Sequence, residues 1–370
     1  MGRLSLSPSY PFAMRVNWTD PLREQACMTW LTPLADPLGL HLETLAPASS
    51  DASFRRYLQL KSDASPTGRY IVMDAPPELE NNPAFVKVAG LMAEAGLRVP
   101  QILSWDQAHG FMLLSDLGEH TLMHALTTQP EAAHLPLWRS ALEALRPWQL
   151  HAVGDALPAY DHALLQRELS LFPDWYIAKH KAYTLSDSER SQWQSWFDLI
   201  VSHNLQAPSV PVHRDFMPRN LMLPASGDDP RMGVLDFQDA VFGPITYDLA
   251  SLMRDAFISW EEEVVMDVTI RHWEQLRKTG LIDAHGWSED FGAFYEAIEW
   301  MGLQRHLKVA GIFARLTLRD GKEKYLADAP RFIGYIRRTA SRYSALTPLL
   351  RAIDRIEGIA PQETLVMGRG

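Results

Sequence analysis

The stretch Pro211-Val-His-Arg-Asp-Phe-Met-Pro-Arg-Asn-Leu-Met-Leu223, followed by Gly233-Val-Leu-Asp-Phe-Gln-Asp239, constrains this chain more than any other part of it. Apolar residues bracket each polar cluster, so Pro211–Leu223 and Arg231–Phe237 read as two short strands around a turn at Ala225–Asp229. Asp215 and Asn220 stand five residues apart on a loop entering a strand, and Asp236 ends the next strand. A hairpin could bring Asn220 and Asp236 to one end, offering two hard oxygen ligands of the kind that hold Mg²⁺ together with water and phosphate. Asp215 would then sit beside the metal as a carboxylate able to accept a proton from a hydroxyl. A base, two metal ligands and a phosphate clamp suffice for phosphoryl transfer, where the protein mostly positions groups and neutralises charge. Ordinary Asp turn caps would explain an isolated His-x-Asp. The full spacing, with a hydrophobic-Asp-Phe after a hairpin-length gap, favours phosphoryl transfer.

Composition narrows the field. The 370 residues carry 35 basic and 45 acidic side chains, a net charge of −10, and no basic tract, which argues against nucleic-acid or anionic-membrane partners. At 46% hydrophobic and 22% charged, this is an ordinary globular composition. Cys27 stands alone, which excludes an intramolecular disulfide framework and a cysteine-based zinc site. No apolar run approaches the roughly 18 residues of a membrane span. Residues 1–18 read as a flexible leader, Ser- and Pro-rich rather than a signal peptide, with Met14 and Met28 as alternative starts. A reducing, cytoplasmic compartment and no protein partner are the expectation.

From Asp20 the pattern turns helical, with Leu22, Cys27, Trp30, Leu31 and Leu34 on one face and Asp20 as cap. Strand-like runs follow at Leu40–Leu45, Phe54–Leu60 and Tyr70–Met73, with turns at Pro47–Ala52 and Ser62–Gly68. A helix near Pro83–Ala95, opened by Asn81 and Asn82, precedes strands at Gln101–Asp106 and Gly110–Ser115, and long helical periods dominate thereafter. The fold class is α+β: a small antiparallel-sheet lobe at 19–115 and a larger, mainly helical lobe at 116–370. Such lobes usually leave a ligand-binding cleft between them.

At His213–Asn220 and Asp236–Phe237 the sequence resembles the two-lobed protein-kinase-like fold, specifically its aminoglycoside phosphotransferase branch. A helix follows the metal-binding Asp with little delay, at Asp236-Phe-Gln-Asp-Ala-Val-Phe-Gly-Pro-Ile-Thr-Tyr-Asp-Leu-Ala250, and no Ala-Pro-Glu motif is visible, so a small-molecule acceptor is favoured over a protein. The resemblance implies that Asp215 is the catalytic base, that Asn220 and Asp236 hold Mg²⁺ with ATP as phosphoryl donor, and that Asp248 is a buried structural Asp bonding the catalytic-loop backbone. The segments Ser53–Tyr57, Tyr70–Glu78, Arg167–Tyr176, Glu299–Lys308 and Arg319–Arg331 are similar to the anomeric kinases of N-acetylmuramate and N-acetylglucosamine in bacterial cell-wall recycling. That subfamily implies an amino-sugar acceptor, phosphorylated at C1 to the α-1-phosphate.

The sequence departs from the wider kinase pattern in two places. The first hairpin turn, Pro47-Ala-Ser-Ser-Asp-Ala-Ser53, has no Gly-x-Gly-x-x-Gly, and Met73 and Asp74 occupy the neighbourhood of the expected strand lysine. Ser53, Arg55 and Arg56 are therefore candidates for the ATP phosphates, with Lys87 as another source of the cation. Ser115, Asp116 and Leu117 are candidates for an adenine-binding hinge. Candidate sugar contacts are Glu168, Trp175, Tyr176, Arg305 and His306, with Arg305 suited to a lactyl carboxylate. Asp239 would orient the acceptor or support the loop. Other acceptors within the same fold, an aminoglycoside or choline, form the alternative reading, and a catalytically dead nucleotide-binding module a third. His120 and His124 have the spacing of half a zinc site but no evident third ligand.

Overall fold

The computed structural model describes residues 16–18, 20–50, 54–224, 229–283 and 286–360. Ser53, most of the leader and residues 225–228 of the expected turn therefore lie outside the described residues. In chain order the elements are α1 (Pro21–Ala35), β1 (Ala46–Ser50), β2 (Arg56–Lys61), β3 (Arg69–Asp74), α2 (Asn82–Glu94), β4 (Ile102–Asp106), β5 (Phe111–Ser115), α3 (Leu122–Thr128), α4 (His134–Leu150) and α5 (His162–Leu171). A π-helical segment, Phe172–His180, leads to α6 (Asp187–Asn204), β6 (Ser209–Val212), β7 (Leu221–Met222), β8 (Gly233–Val234), β9 (Val241–Pro244), α7 (Thr246–Met253), α8 (Glu262–Arg277), α9 (Phe291–Leu318), α10 (Ala329–Arg342) and α11 (Thr347–Glu357). These fall into two compact units. One takes in the described residues of Met1–Ala125 and Leu221–Gln238, the other those of Leu126–Asn220 and Asp239–Gly370.

The first unit is built on a five-stranded antiparallel sheet in the order β1-β2-β3-β5-β4. Period-two alternation puts Leu58, Leu60, Tyr70, Val72, Phe111 and Leu113 on one face, with Leu58 opposite Val72 and Val72 opposite Leu113 in register. Cys27 and Leu31 of α1 close that core. Asp20 caps α1 by accepting the Leu22 N–H at 2.9 Å, but Leu22 itself is 74% exposed and off the buried face. Burial, with the Asp74 charge adding to it, pushes the Cys27 thiol up to about 12, so it is a core residue and not a nucleophile.

The strand expected at Leu40–Leu45 is instead an isolated bridge at Leu40 and a 3₁₀ turn at Leu42–Thr44, and β1 occupies part of the expected turn. The reason is local hydrogen bonding. The Thr44 hydroxyl donates to His41 O and accepts the Lys61 N–H, which closes the turn beside β2. Pro47 is tolerated because β1 is an edge strand with a register shift between Pro47 and Ser49.

The second unit is mainly helical. The 28-residue α9 is buried on all sides over most of its length and packs on the π-helical segment, α5, α6, α7 and α10. It approaches Leu171 so closely that a Cβ on Gly311 would stand 2.4 Å from that residue's backbone. Among the described residues no helix is long and apolar enough to cross a membrane. Pro211–Leu223 is not one strand. It divides into β6, which pairs with β9, and β7, which pairs with β8, and the polar loop lies between.

Candidate active site

In the second unit, β6 ends at Val212, paired with Val241, and releases the chain into His213-Arg214-Asp215. The loop is fixed from below by Asp248 on α7. This carboxylate is fully buried and accepts the N–H groups of His213 at 2.8 Å and Arg214 at 3.0 Å. Burial pushes the Asp248 carboxyl up to about 7, against the lowering effect of those two donors. The loop also closes on itself. His213 Nδ1 accepts the Asp215 N–H at 3.2 Å, and Asp215 O accepts both the Met217 N–H and Asn220 Nδ2 at 2.8 Å. Asn220 thereby points its amide nitrogen at the loop, which assigns Oδ1 as the end able to ligate a cation. Asp215 keeps a partly exposed side chain, while Phe216 and Met217 are buried and anchor the turn.

Arg214 adopts φ +76°, a region that non-glycine residues seldom occupy. Its guanidinium pairs with Glu168 through Nη2, donates to Asp239 O through Nη1 at 3.4 Å, and lies 5.6 Å from the Tyr160 ring centroid. Glu168 is 5% exposed and is shared with Lys308 Nζ at 2.9 Å, and it accepts the Tyr160 hydroxyl. Lys308 also donates to the Tyr247 hydroxyl at 3.2 Å. Burial alone would raise the Glu168 carboxyl, but the Lys308 and Arg214 charges hold it below the usual range.

In the first unit, β7 begins one residue after Asn220 and pairs with β8, Leu221 opposite Val234. Asp236 follows two residues beyond β8, with φ +64°. Phe237 is fully buried against Phe85 of α2, ring centroids 4.9 Å apart, and Gln238 Nε2 donates to Asp236 Oδ1 at 2.9 Å. The Asp-Phe pair therefore divides its labour: the ring pins the loop and the carboxylate stays partly exposed. Gly233 packs closely on Leu117, whose Cδ1 would stand 2.7 Å from a Cβ at that position.

The remaining candidates are placed as follows. Arg55 is 5% exposed and paired with Glu80 at 2.9 Å. Arg56 and Arg23 share the buried carboxylate of Asp74, so the acid standing near the absent strand lysine already has two cations. Lys87 is exposed on α2. Ser115 Oγ accepts the Gln101 N–H at 2.8 Å, Asp116 takes Arg69 Nε at 2.6 Å, and Leu117 O takes Arg98 Nη2 at 3.1 Å. Tyr176 donates its hydroxyl to Glu357 at 2.9 Å and lines a pocket of about 470 Å³ with His180 and Lys181, and Trp175 is half-buried. Arg305, 2% exposed, donates to Met217 Sδ at 3.0 Å. His306 is buried, with Nε2 3.4 Å from Arg254 O and its ring stacked on Tyr335. Asp239 is exposed. His120 and His124 stack with centroids 4.5 Å apart.

The loop of Asp215 thus draws Glu168, Asp239 and Asp248 to itself through Arg214, and Arg305 through Met217. Tyr160, Tyr247 and Lys308 complete this arrangement without having been singled out from sequence. The legible signal for Lys308 was a cationic residue within a helix that has no polar face.

This is the loop architecture of a phosphotransferase, and residues 44–284 match the phosphotransferase enzyme family, to which the chain belongs. Solved structures share the fold. A Plasmodium vivax ethanolamine kinase superposes with a TM-score of 0.58 at 11% identity, covering 89% of this chain and 88% of its own. The GDP complex of aminoglycoside 2'-phosphotransferase-IIIa gives 0.56 at 13% identity, covering 86% and 99%. Within the family the chain is 48% identical to the N-acetylmuramate/N-acetylglucosamine kinase of Pseudomonas aeruginosa, covering 82% of this chain and 86% of that protein. It is 46% identical to the protein of the same name from Neisseria meningitidis serogroup B, covering 86% and 92%. The chain is accordingly a kinase related to enzymes named for amino-sugar acceptors.

Proposed function

We propose that the protein transfers the γ-phosphoryl group of ATP to the anomeric hydroxyl of N-acetylmuramate and N-acetylglucosamine, giving the α-1-phosphates. The observation that carries this reading is the 48% identity to a kinase named for both sugars, over most of both chains. The reaction is an in-line displacement. The sugar O1 forms a bond to the γ-phosphorus, the bridging oxygen departs with ADP, and the O1 proton passes to Asp215. Asp215 is suited to this because its backbone is tied to His213, Met217 and Asn220 while its carboxylate remains accessible. An anomeric hydroxyl is more acidic than an ordinary alcohol, which lightens the task of a carboxylate base.

Asn220 Oδ1 and the Asp236 carboxylate are hard oxygen donors of the type Mg²⁺ takes, and they are the residues assigned to hold it. When bound, the ion neutralises charge on the phosphates. Asp236 is turned out of the strand by its left-handed backbone and braced by Phe237 and Gln238, which suits a ligand that must keep one orientation. Asp248 holds the loop and takes no proton from the acceptor. The hinge segment Ser115–Leu117 is assigned to the adenine, with Asp239 and Trp175 to the acceptor. The product class feeds nucleotide-sugar synthesis.

A panel of N-acetylmuramate, N-acetylglucosamine, kanamycin and choline with Mg-ATP, read by ADP release, tests the acceptor. The two amino sugars should be the substrates. Turnover of kanamycin or choline in their place would overturn the acceptor and leave the phosphotransferase standing.

A further inference from the structure

The cluster around Glu168 does something that the transfer chemistry leaves unassigned. Arg214, next to Asp215 in the chain, sits at φ +76°, a conformation that persists only where the surroundings over-determine it. Its backbone N–H is held by Asp248, and its guanidinium is held by Glu168. Glu168 is itself immobilised. Oε1 also takes Lys308 Nζ at 2.9 Å, Oε2 takes the Tyr160 hydroxyl, and the residue is 5% exposed. The ring that orients it is fixed in turn, because Tyr160 packs so tightly on β9 that a Cβ at Gly243 would stand 2.5 Å from its own. Lys308 reaches in from α9 and is tied to Tyr247 of α7. A rotation at Arg214 would swing the next carboxylate, and everything in the cluster opposes that rotation.

We infer that Glu168 is a positioning residue: with Lys308 and Tyr160 fixing it, its carboxylate locks Arg214 in the left-handed conformation and so aims the Asp215 carboxylate at the acceptor hydroxyl. Lys308 has a separate part, balancing the buried charge and sharing the Oε1 of Glu168 with Arg214. This rests on Asp215 being the base proposed above. Stability and catalysis then depend on different parts of one cluster. Stability follows the charge balance among Glu168, Lys308 and Arg214, whereas kcat follows the single Arg214–Glu168 pair.

The test is steady-state kinetics and thermal unfolding of E168Q, K308M and E168Q/K308M, with D215N alongside. Misplacement of a reacting group by about 1 Å costs on the order of 10²-fold, so E168Q should lower kcat about 10²-fold with KM for Mg-ATP within about twofold. K308M keeps the Arg214–Glu168 pair and should lose less than about tenfold in kcat, well short of the misplacement effect. The double variant removes one charge of each sign, so it should recover much of the Tm lost in E168Q while kcat stays low. A double variant that recovers kcat together with Tm would reduce the cluster to a stabilising one and overturn the inference, as would K308M losing as much kcat as E168Q. If E168Q alone does not fold, K308M and the double variant decide the matter between them. D215N at wild-type turnover would overturn the base assignment and this inference together. An inactive D215N beside a fully active E168Q would overturn this inference alone.

Discussion

At the scale of single residues, the site depends on side chains that hold backbone as much as on those that meet substrate. Asp215→Asn keeps the loop hydrogen bonds, which run through main-chain atoms of residue 215, and removes the proposed proton acceptor. It should lower kcat by about 10²–10⁴-fold with the affinity for Mg-ATP, read by calorimetry, changed less than about threefold. Asp248 has the opposite profile. Each of its oxygens accepts one N–H, so in Asp248→Asn the amide nitrogen must face one of those donors. Leaving a buried donor unsatisfied costs about 1–3 kcal/mol, which urea unfolding should register as lost stability. No such loss in D248N would mean that Asp248 does not secure the loop. Arg214 and Asp236 both take positive φ, and neither conformation could be read from its residue type alone, since Arg seldom enters that region and Asp, though enriched there, does so in a minority of cases.

At the scale of elements, α9 shows where sequence reading succeeds and where it stops. Its helical period and its cluster of polar residues from Gln304 to Lys308 are plain in the sequence, but the partners of Arg305, His306 and Lys308 lie on other elements, so their contacts depended on tertiary packing. The Asp215–Asn220 loop and the Asp-Phe that follows β8 were legible because apolar residues bracket each polar cluster at a fixed separation. β1 was not. Its Pro, Ala and Ser residues carry turn chemistry, and only pairing along β2 makes them a strand. Gly311 gives a test at this scale. Alanine is worth about 1 kcal/mol over glycine in an open helix, yet here a Cβ would stand 2.4 Å from the Leu171 backbone. Gly311→Ala should therefore destabilise the protein, by about 1–3 kcal/mol in chemical denaturation, as overpacking does. A stabilised G311A would show that α9 and the end of α5 have room to separate.

At the scale of the whole molecule, buried histidines couple folding to pH. His272 is fully buried and neither ring nitrogen has a hydrogen-bond partner among the described residues. Burial, aided by the Arg146 charge, holds it down to about 3, and burial with Arg305 and Arg254 nearby holds His306 well below its ordinary value. Both stay neutral in the folded chain while the unfolded chain binds protons below about pH 6.5, so each contributes stability that is lost as pH falls. Set against wild type, His272→Leu should gain about 2 kcal/mol in relative stability between pH 7.5 and pH 5. A difference that stays constant with pH would contradict a neutral buried imidazole. Asp248 and Asp255, both raised by burial, act in the other direction and lose stability as pH rises, which is why the comparison is made against wild type. The central claim concerns the product. Proton-coupled ³¹P NMR of the reaction with Mg-ATP and N-acetylmuramate reads it directly. The account predicts a new phosphate resonance split by the anomeric proton, with the small coupling to H2 that marks an α-1-phosphate. A resonance coupled instead to the C6 protons, or no transfer to either amino sugar while ATP binds, would contradict it.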